Sequence, residues 1–159
     1  MEASRHETWS AERADEIIRA HRHLDGATLP ILHALQDVFG FVPEAAIPLI
    51  AESLNLSRAE IHGVATFYHD FRHAPAGQHV VKLCAAEACQ SMGSQALAAY
   101  AQDRLNLAMG ETSPDGRITL EPIYCLGLCA CAPAGMLDGQ LRGRLDRAAI
   151  DQMAREISQ

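Results

Sequence analysis

Along the first half of the chain, apolar residues recur every three or four positions; past a short break they fall in brief alternating runs separated by turns. Helices are therefore predicted first and a mixed pattern afterwards. "SAERADEIIRAHRH" places Ser10 as a cap before acidic and then apolar residues. In "TLPILHALQDVFG", Leu32, Leu35 and Phe39 share helical spacing, with Pro30 near the start and Gly40 as the stop. "VPEAAIPLIAESLNL" is predicted as a further helix, although Pro48 weakens its start. "SRAEIHGVATFYHDF" opens with Ser57 and Glu60 in a capping-box arrangement, in which each satisfies a free N–H of the first turn. Each of these helices is too short to persist alone in water, so a small bundle is expected.

"HAPAGQ", with Pro75 and Gly77, is the predicted linker, dividing a helical region at 1–75 from a second domain at 76–159. "QHVVKLC" reads as a β-branched strand ending at Cys84, and "SQALAAYAQDRL" as a helix with Leu97, Tyr100, Ala101 and Leu105 on one face. "GETSPDGRI" is turn-rich around Asp115 and Gly116, and "RITLEPIYC" is a second strand arriving at Cys125. "GMLDGQLRGRL" is predicted as a hairpin turning at Asp138 and Gly139, with Gly143 at a bulge. "DRAAIDQMAREIS" closes the chain as a helix capped by Asp146, with Ile150, Met153 and Ile157 facing inward. The expected class is α/β: a helical N-terminal region, then a domain with a small mixed sheet and flanking helices.

Charge and composition narrow the setting. The 159 residues carry a formal net charge of -7 and are 48% apolar, with no long basic run. That favours a globular chain and argues against nucleic acid or an anionic membrane as the main partner. The N-terminal stretch lacks an apolar signal core, and no run approaches membrane-spanning length, so a cytoplasmic location is expected.

In a reducing compartment, clustered cysteines point to metal or redox chemistry more than to disulfides. Five cysteines are present: Cys84 and Cys89 spaced C-x4-C, Cys125 and Cys129 spaced C-x3-C, and Cys131. Both pairs begin where a predicted strand ends. If those strands are parallel, their following loops reach the same sheet edge and the four sulfurs converge. Four thiolates at one place suit an iron–sulfur cluster or Zn2+. The wide spacing fits a diiron core, which takes one pair per iron, and the small or apolar residues between ligands leave backbone N–H groups free to donate to sulfur. Zinc, thiol redox chemistry and cysteines that merely pack all remain open readings on spacing alone. Cys131 is expected to be a non-ligand.

The stretches "EIHGVATFYHDF", "CAAEAC", "GETSPDGRITLEPIYCLGLC" and "APAGML" resemble the thioredoxin-like [2Fe–2S] ferredoxin subunits of NADH-linked complexes, which include the 24-kDa subunit of respiratory complex I. "HGVATFYHDFRHAPAG" and "CAAEACQSMG" are most similar to the gamma subunit of NAD-dependent, molybdenum-containing formate dehydrogenase. The resemblance implies a thioredoxin-like second domain and a [2Fe–2S] cluster on Cys84, Cys89, Cys125 and Cys129. It also implies electron exchange with a flavin-containing subunit; FMN, NAD and the molybdenum cofactor would sit on partner subunits. Neither a G-x-G-x-x-G turn after a strand nor a G-x-x-x-x-G-K-[ST] loop occurs in the chain, in keeping with an accessory electron carrier.

The remaining chemistry-bearing residues read plainly. His69 and His73 stand four apart, but "DFR" between them breaks the H-E-x-x-H pattern, so surface or interface histidines are expected. Phe67, Tyr68 and Phe71 are expected mainly to glue the helical region, with anchoring of a partner as the other reading. Glu87 and Asp115 are expected to be solvated loop carboxylates.

Overall fold

The computed structural model describes residues 6–158. The chain divides into two compact units, Met1–Pro75 and Ala76–Gln159.

The first unit is all helical: α1 (Ala11–His21), α2 (Thr28–Phe39), α3 (Ala46–Leu54) and α4 (Arg58–Phe67). Ser10 caps α1 by accepting from the Arg13 N–H, and Gly40 ends α2 in the left-handed region at φ 80°. Pro30 and Pro48 each take the third position of their helices, where no intrahelical N–H bond is forfeited. In the capping box of α4, the Ser57 N–H donates to Glu60 at 2.8 Å and the Glu60 N–H donates back to Ser57 Oγ at 3.2 Å. Ile17, Ile18, Ile31, Leu32, Leu35, Phe39, Ile50 and Ile61 make the core, with Trp9 edge-on to Phe39 at 5.1 Å. α4 stops at Phe67, sooner than the aromatic-rich pattern implies, because Tyr68 turns to extended backbone. The aromatic trio then divides: Phe71 is buried against His33, while Phe67 and Tyr68 are exposed.

The second unit runs β1 (His79–Cys84), α5 (Glu87–Ser91), α6 (Ser94–Leu105), β2 (Ile118–Ile123), a 3-10 turn (Cys129–Cys131), β3 (Gly135–Leu137), β4 (Gln140–Arg142) and α7 (Arg147–Ile157). The sheet order is β2-β1-β3-β4. β1 and β2 are parallel, with Cys84 beside Ile123; β3 runs antiparallel to β1, and β4 antiparallel to β3. Val81, Leu83, Leu120 and Leu137 from the sheet pack with Leu97 and Ala101 of α6 and Ile150, Met153 and Ile157 of α7. The hairpin turns at Asp138 (φ 50°) and Gly139 (φ 85°), the paired positive dihedrals of a tight two-residue turn. The Asp138 carboxylate accepts from the Val80 N–H at 2.8 Å and pairs with His79 Nδ1 at 2.7 Å, pinning the hairpin to the start of β1.

Three local features depart from the sequence pattern. α5 is a helix of one and a half turns that periodicity is too short to reveal. β2 ends at Ile123, leaving Tyr124 and Cys125 in a loop. Gly143 is a close approach to Cys131, not a bulge. Among the described residues, no helix is long and apolar enough to cross a membrane.

Candidate metal centre

The parallel pairing of β1 and β2 delivers both cysteine loops to one end of the sheet, and this register is what gathers the thiols. Cys84 is the last residue of β1, fixed on its other side by its N–H donating to the Ala134 carbonyl at 2.9 Å. Cys89 lies on α5, whose first turn is held by the Cys89 and Gln90 N–H groups donating to the Ala86 carbonyl at 2.9 Å. The Gln90 side-chain amide closes the loop by donating to the Ala85 carbonyl at 2.7 Å. Both sulfurs of this pair are buried, in a small cluster with Ala134 against Ile123, Leu126 and Leu128.

The second pair is held differently. Cys125 has φ 100°, a conformation that L side chains rarely adopt, and Gly127 follows at φ 74°. These turns aim N–H groups inward: Gly127 donates to Cys125 Sγ at 3.4 Å. The N–H groups of both Cys125 and Leu126 are directed at the Cys84 sulfur, as is that of Ala86. Cys129 opens the 3-10 turn, and Cys125 and Cys129 are both exposed. All five cysteines are free thiols, and Cys131 is half-buried.

Electrostatics tie the pairs together. Burial pushes the Cys84 thiol up, but the Ala86 N–H, the Cys89 thiol and the N–H groups of Cys125 and Leu126 outweigh it and hold Cys84 below the ordinary thiol range. Cys89 is raised, first by burial and then by donating to Cys84. Cys129 is raised chiefly by its hydrogen bond to Cys125, with a smaller contribution from the charge of Cys84. In the first pair, then, Cys89 donates toward a Cys84 sulfur whose thiolate form is favoured, the protonation state that metal ligation requires.

A donor set of thiols ringed by backbone N–H groups fits an iron–sulfur cluster. A single zinc ion needs its four sulfurs about 2.3 Å from one point. Among the described residues, no group of three or more His, Cys, Asp or Glu side chains is already gathered around a point that could hold a metal ion, zinc or iron. The thiols lie as two pairs, Cys89 hydrogen-bonded to Cys84 and Cys129 to Cys125. His69 and His73 are exposed in the first unit, and Glu87 and Asp115 are exposed on loops or a helix end. Sequence reasoning missed the part played by Ala134, whose carbonyl anchors Cys84 and whose N–H points at the Cys89 sulfur; only the "APAG" segment near Cys131 marks it in the sequence.

Comparison with known proteins gives the same class. The family model for thioredoxin-like [2Fe–2S] ferredoxins matches residues 14–158. An NADH-quinone oxidoreductase subunit of Pseudomonas aeruginosa is 36% identical over 134 residues, covering 83% of this chain and 81% of that protein. The NADP-reducing hydrogenase subunit HndA of Solidesulfovibrio fructosivorans is 27% identical over 132 residues, covering 83% and 77%. Among solved structures, an NAD+-reducing [NiFe]-hydrogenase in its H2-reduced state superposes with TM-score 0.70 at 25% identity over 82% of this chain; the match spans only 22% of that longer chain. The fold and the thiol-lined sheet edge define an iron–sulfur electron carrier with a thioredoxin-like second unit. The chain belongs to the thioredoxin-like [2Fe–2S] ferredoxin family, and its cofactor is a [2Fe–2S] cluster.

Proposed function

We propose that the cluster is held by Cys84, Cys89, Cys125 and Cys129, and that the chain is the electron-transfer subunit of an NAD-dependent formate dehydrogenase complex. The observation that carries the ligand assignment is the parallel register of β1 with β2, which sets the loop after Ile123 beside Cys84. When bound, the cluster supplies a one-electron redox couple. The protein's own groups do the rest. Cys84 and Cys89 fix one pair in the apolar cluster, excluding water; Cys125 and Cys129 present the other pair to the surface, where a partner can approach. The N–H groups of Ala86, Cys125, Leu126 and Ala134 offset negative charge on the buried sulfurs.

The formate assignment rests on the likeness of "HGVATFYHDFRHAPAG" and "CAAEACQSMG" to the gamma subunit of that enzyme. On this reading the partners are a subunit carrying FMN and NAD and a subunit carrying the molybdenum cofactor, in the cytoplasm. The helical unit, with Phe67 and Tyr68 exposed, serves docking, and 76–159 serves as the cluster domain. A second reading, an equivalent subunit of a respiratory NADH dehydrogenase or NAD-reducing hydrogenase, is favoured by the names of the relatives matched above.

Iron and acid-labile sulfide on anaerobically purified protein, with EPR after dithionite, test the ligand assignment. About two irons and two sulfides per chain are expected, with a reduced S = 1/2 signal that is lost or altered when any one of the four cysteines is replaced by Ser. Reduction of the cluster by formate in the co-purified complex selects the first reading. Reduction by NADH or H2 but not by formate selects the second.

A further inference from the structure

After the hairpin, the chain returns to the thiol site. The Arg144 N–H donates to the Cys131 carbonyl at 2.6 Å, and the Leu145 N–H to the Pro133 carbonyl at 2.8 Å. Leu145 is buried and packs against Gly135, so this strap is anchored in the core. Gly143 begins the strap. A Cβ built there would stand 2.7 Å from the Cys131 Cβ, well inside the roughly 3.5–4.0 Å at which carbon atoms rest, and a tight 3.1 Å from its carbonyl oxygen. Neither atom is the end of a flexible chain. Both belong to the last residue of the 3-10 turn that Cys129 opens, and the Cys131 N–H closes that turn on the Leu128 carbonyl at 2.8 Å.

We propose that Gly143 is a positioning residue for Cys129, setting through Cys131 how far the exposed thiol pair stands from Cys84 and Cys89. This rests on Cys129 being a ligand. A side chain at 143 cannot be relieved by moving the strap outward without stretching the two hydrogen bonds made by Arg144 and Leu145, so the 3-10 turn has to yield. Gly143 does not itself have a positive φ, so alanine there carries no left-handed penalty and its effect isolates the contact. The closer of the two contacts uses the Cβ of Cys131, the other its carbonyl oxygen, and neither uses its sulfur. Cys131 thereby has a spacing role that needs no thiol chemistry.

The test uses the full chain, purified anaerobically with its cluster, and reads visible circular dichroism and the reduced EPR signal alongside the thermal midpoint. Gly143→Ala is expected to shift the EPR g-values and the dichroism and to speed cluster loss to a chelator. Cys131→Ala should match wild type, and Gly143→Ala with Cys131→Gly should return the signature toward that of Cys131→Gly alone. A merely structural role would lower the thermal midpoint and leave the spectra of loaded molecules unchanged, and that result overturns the proposal. So does a double variant as shifted as Gly143→Ala. If Gly143→Ala does not fold, Cys131→Ala and Cys131→Gly decide: a shifted signature in the glycine variant alone supports the spacing role, and identical signatures overturn it. Cys129→Ser is read in parallel. An unaltered spectrum there defeats the ligand assignment itself, whereas an altered one with an unmoved Gly143→Ala defeats the positioning role alone.

Discussion

The two cysteine pairs reach the same sheet edge by different means. Cys84 and Cys89 sit on regular elements, a strand end and a short helix, and both are buried. Cys125 and Cys129 sit on a loop with positive φ at Cys125 and Gly127 and on a 3-10 turn, and both are exposed. The first pair is positioned by the core, whose packing any folded form of the unit retains. The second is positioned by local backbone geometry and by neighbouring straps, which can shift without unfolding anything. On the proposed ligand set, one half of the site is therefore part of the fold, and the other half is adjustable at the surface.

The largest test of that division is serine replacement of one cysteine from each pair. Cys84→Ser and Cys125→Ser are both expected to lose or alter the cluster. Their metal-free forms should differ: Cys84→Ser exchanges a buried sulfur for a more polar hydroxyl in an apolar cluster, at a cost of about 1–3 kcal/mol. Cys125→Ser, on the surface, should unfold with the metal-free wild type. Thermal or urea melts of apoprotein check this, and equal destabilisation by both would erase the distinction.

Alkylation of native apoprotein, mapped by mass spectrometry, sharpens it further. Cys125 should label first. Cys129 should lag, because its hydrogen bond to Cys125 holds its thiol above the ordinary value. As pH rises toward and beyond the usual thiol pKa of about 8.5, Cys129 ionises and its lag should shrink. Cys84 and Cys89 should label only as the unit opens, however the bulk pH favours thiolate. Fast labelling of Cys89 would show that the buried half is not closed by the fold.

A smaller effect separates backbone geometry from stability. Gly127 and Gly116 both have positive φ and open space where a Cβ would stand, so alanine at either should cost a similar amount, about 1–2 kcal/mol. Gly127 donates to Cys125 Sγ, whereas Gly116 closes the remote turn by donating to the Ser113 carbonyl at 2.8 Å. Gly127→Ala should alter the cluster's EPR and dichroism, and Gly116→Ala should leave them alone. Matching spectra in the two variants would mean that the exposed loop does not depend on its dihedrals.

Much of the fold, though not this division between the pairs, was readable in the residues, for physical reasons that also mark where reading stopped. Periodicity, caps and turn residues reported the helices, the strands and the Asp138–Gly139 hairpin because each is a local preference. The convergence of the thiols followed from strands and spacing once β1 and β2 were taken as parallel, as they are. What stayed hidden is tertiary. The α5 helix is too short to carry a period. Cys125 gives no outward sign of φ 100°, because the residues most tolerant of that region are glycine and asparagine. The Gly143–Cys131 approach joins segments that only the hairpin brings together, so a lone glycine after β4 reads as a bulge.

The smallest predicted effect lies away from both pairs and serves as their reference. Asp151 on α7 accepts from Arg104 Nε at 2.9 Å and from the Tyr100 hydroxyl at 3.0 Å, joining α7 to α6. Those bonds, Arg104 first, hold its carboxyl below the usual aspartate value. Because the folded-state pKa is depressed, the stabilisation is complete above the unfolded value of about 3.9 and is lost as pH falls through the lower folded one. Asp151→Asn should therefore melt slightly lower than wild type at neutral pH, and the gap should close in acid. The group is at the surface and solvent screens it, so the shift should be the least of those above. Its cluster spectra and its alkylation order should match wild type, since no bond in this clasp reaches a cysteine. An Asp151→Asn variant with shifted g-values would mean that general loosening of the unit moves the cluster. The spectral shifts assigned to the exposed loop would then lose their local meaning.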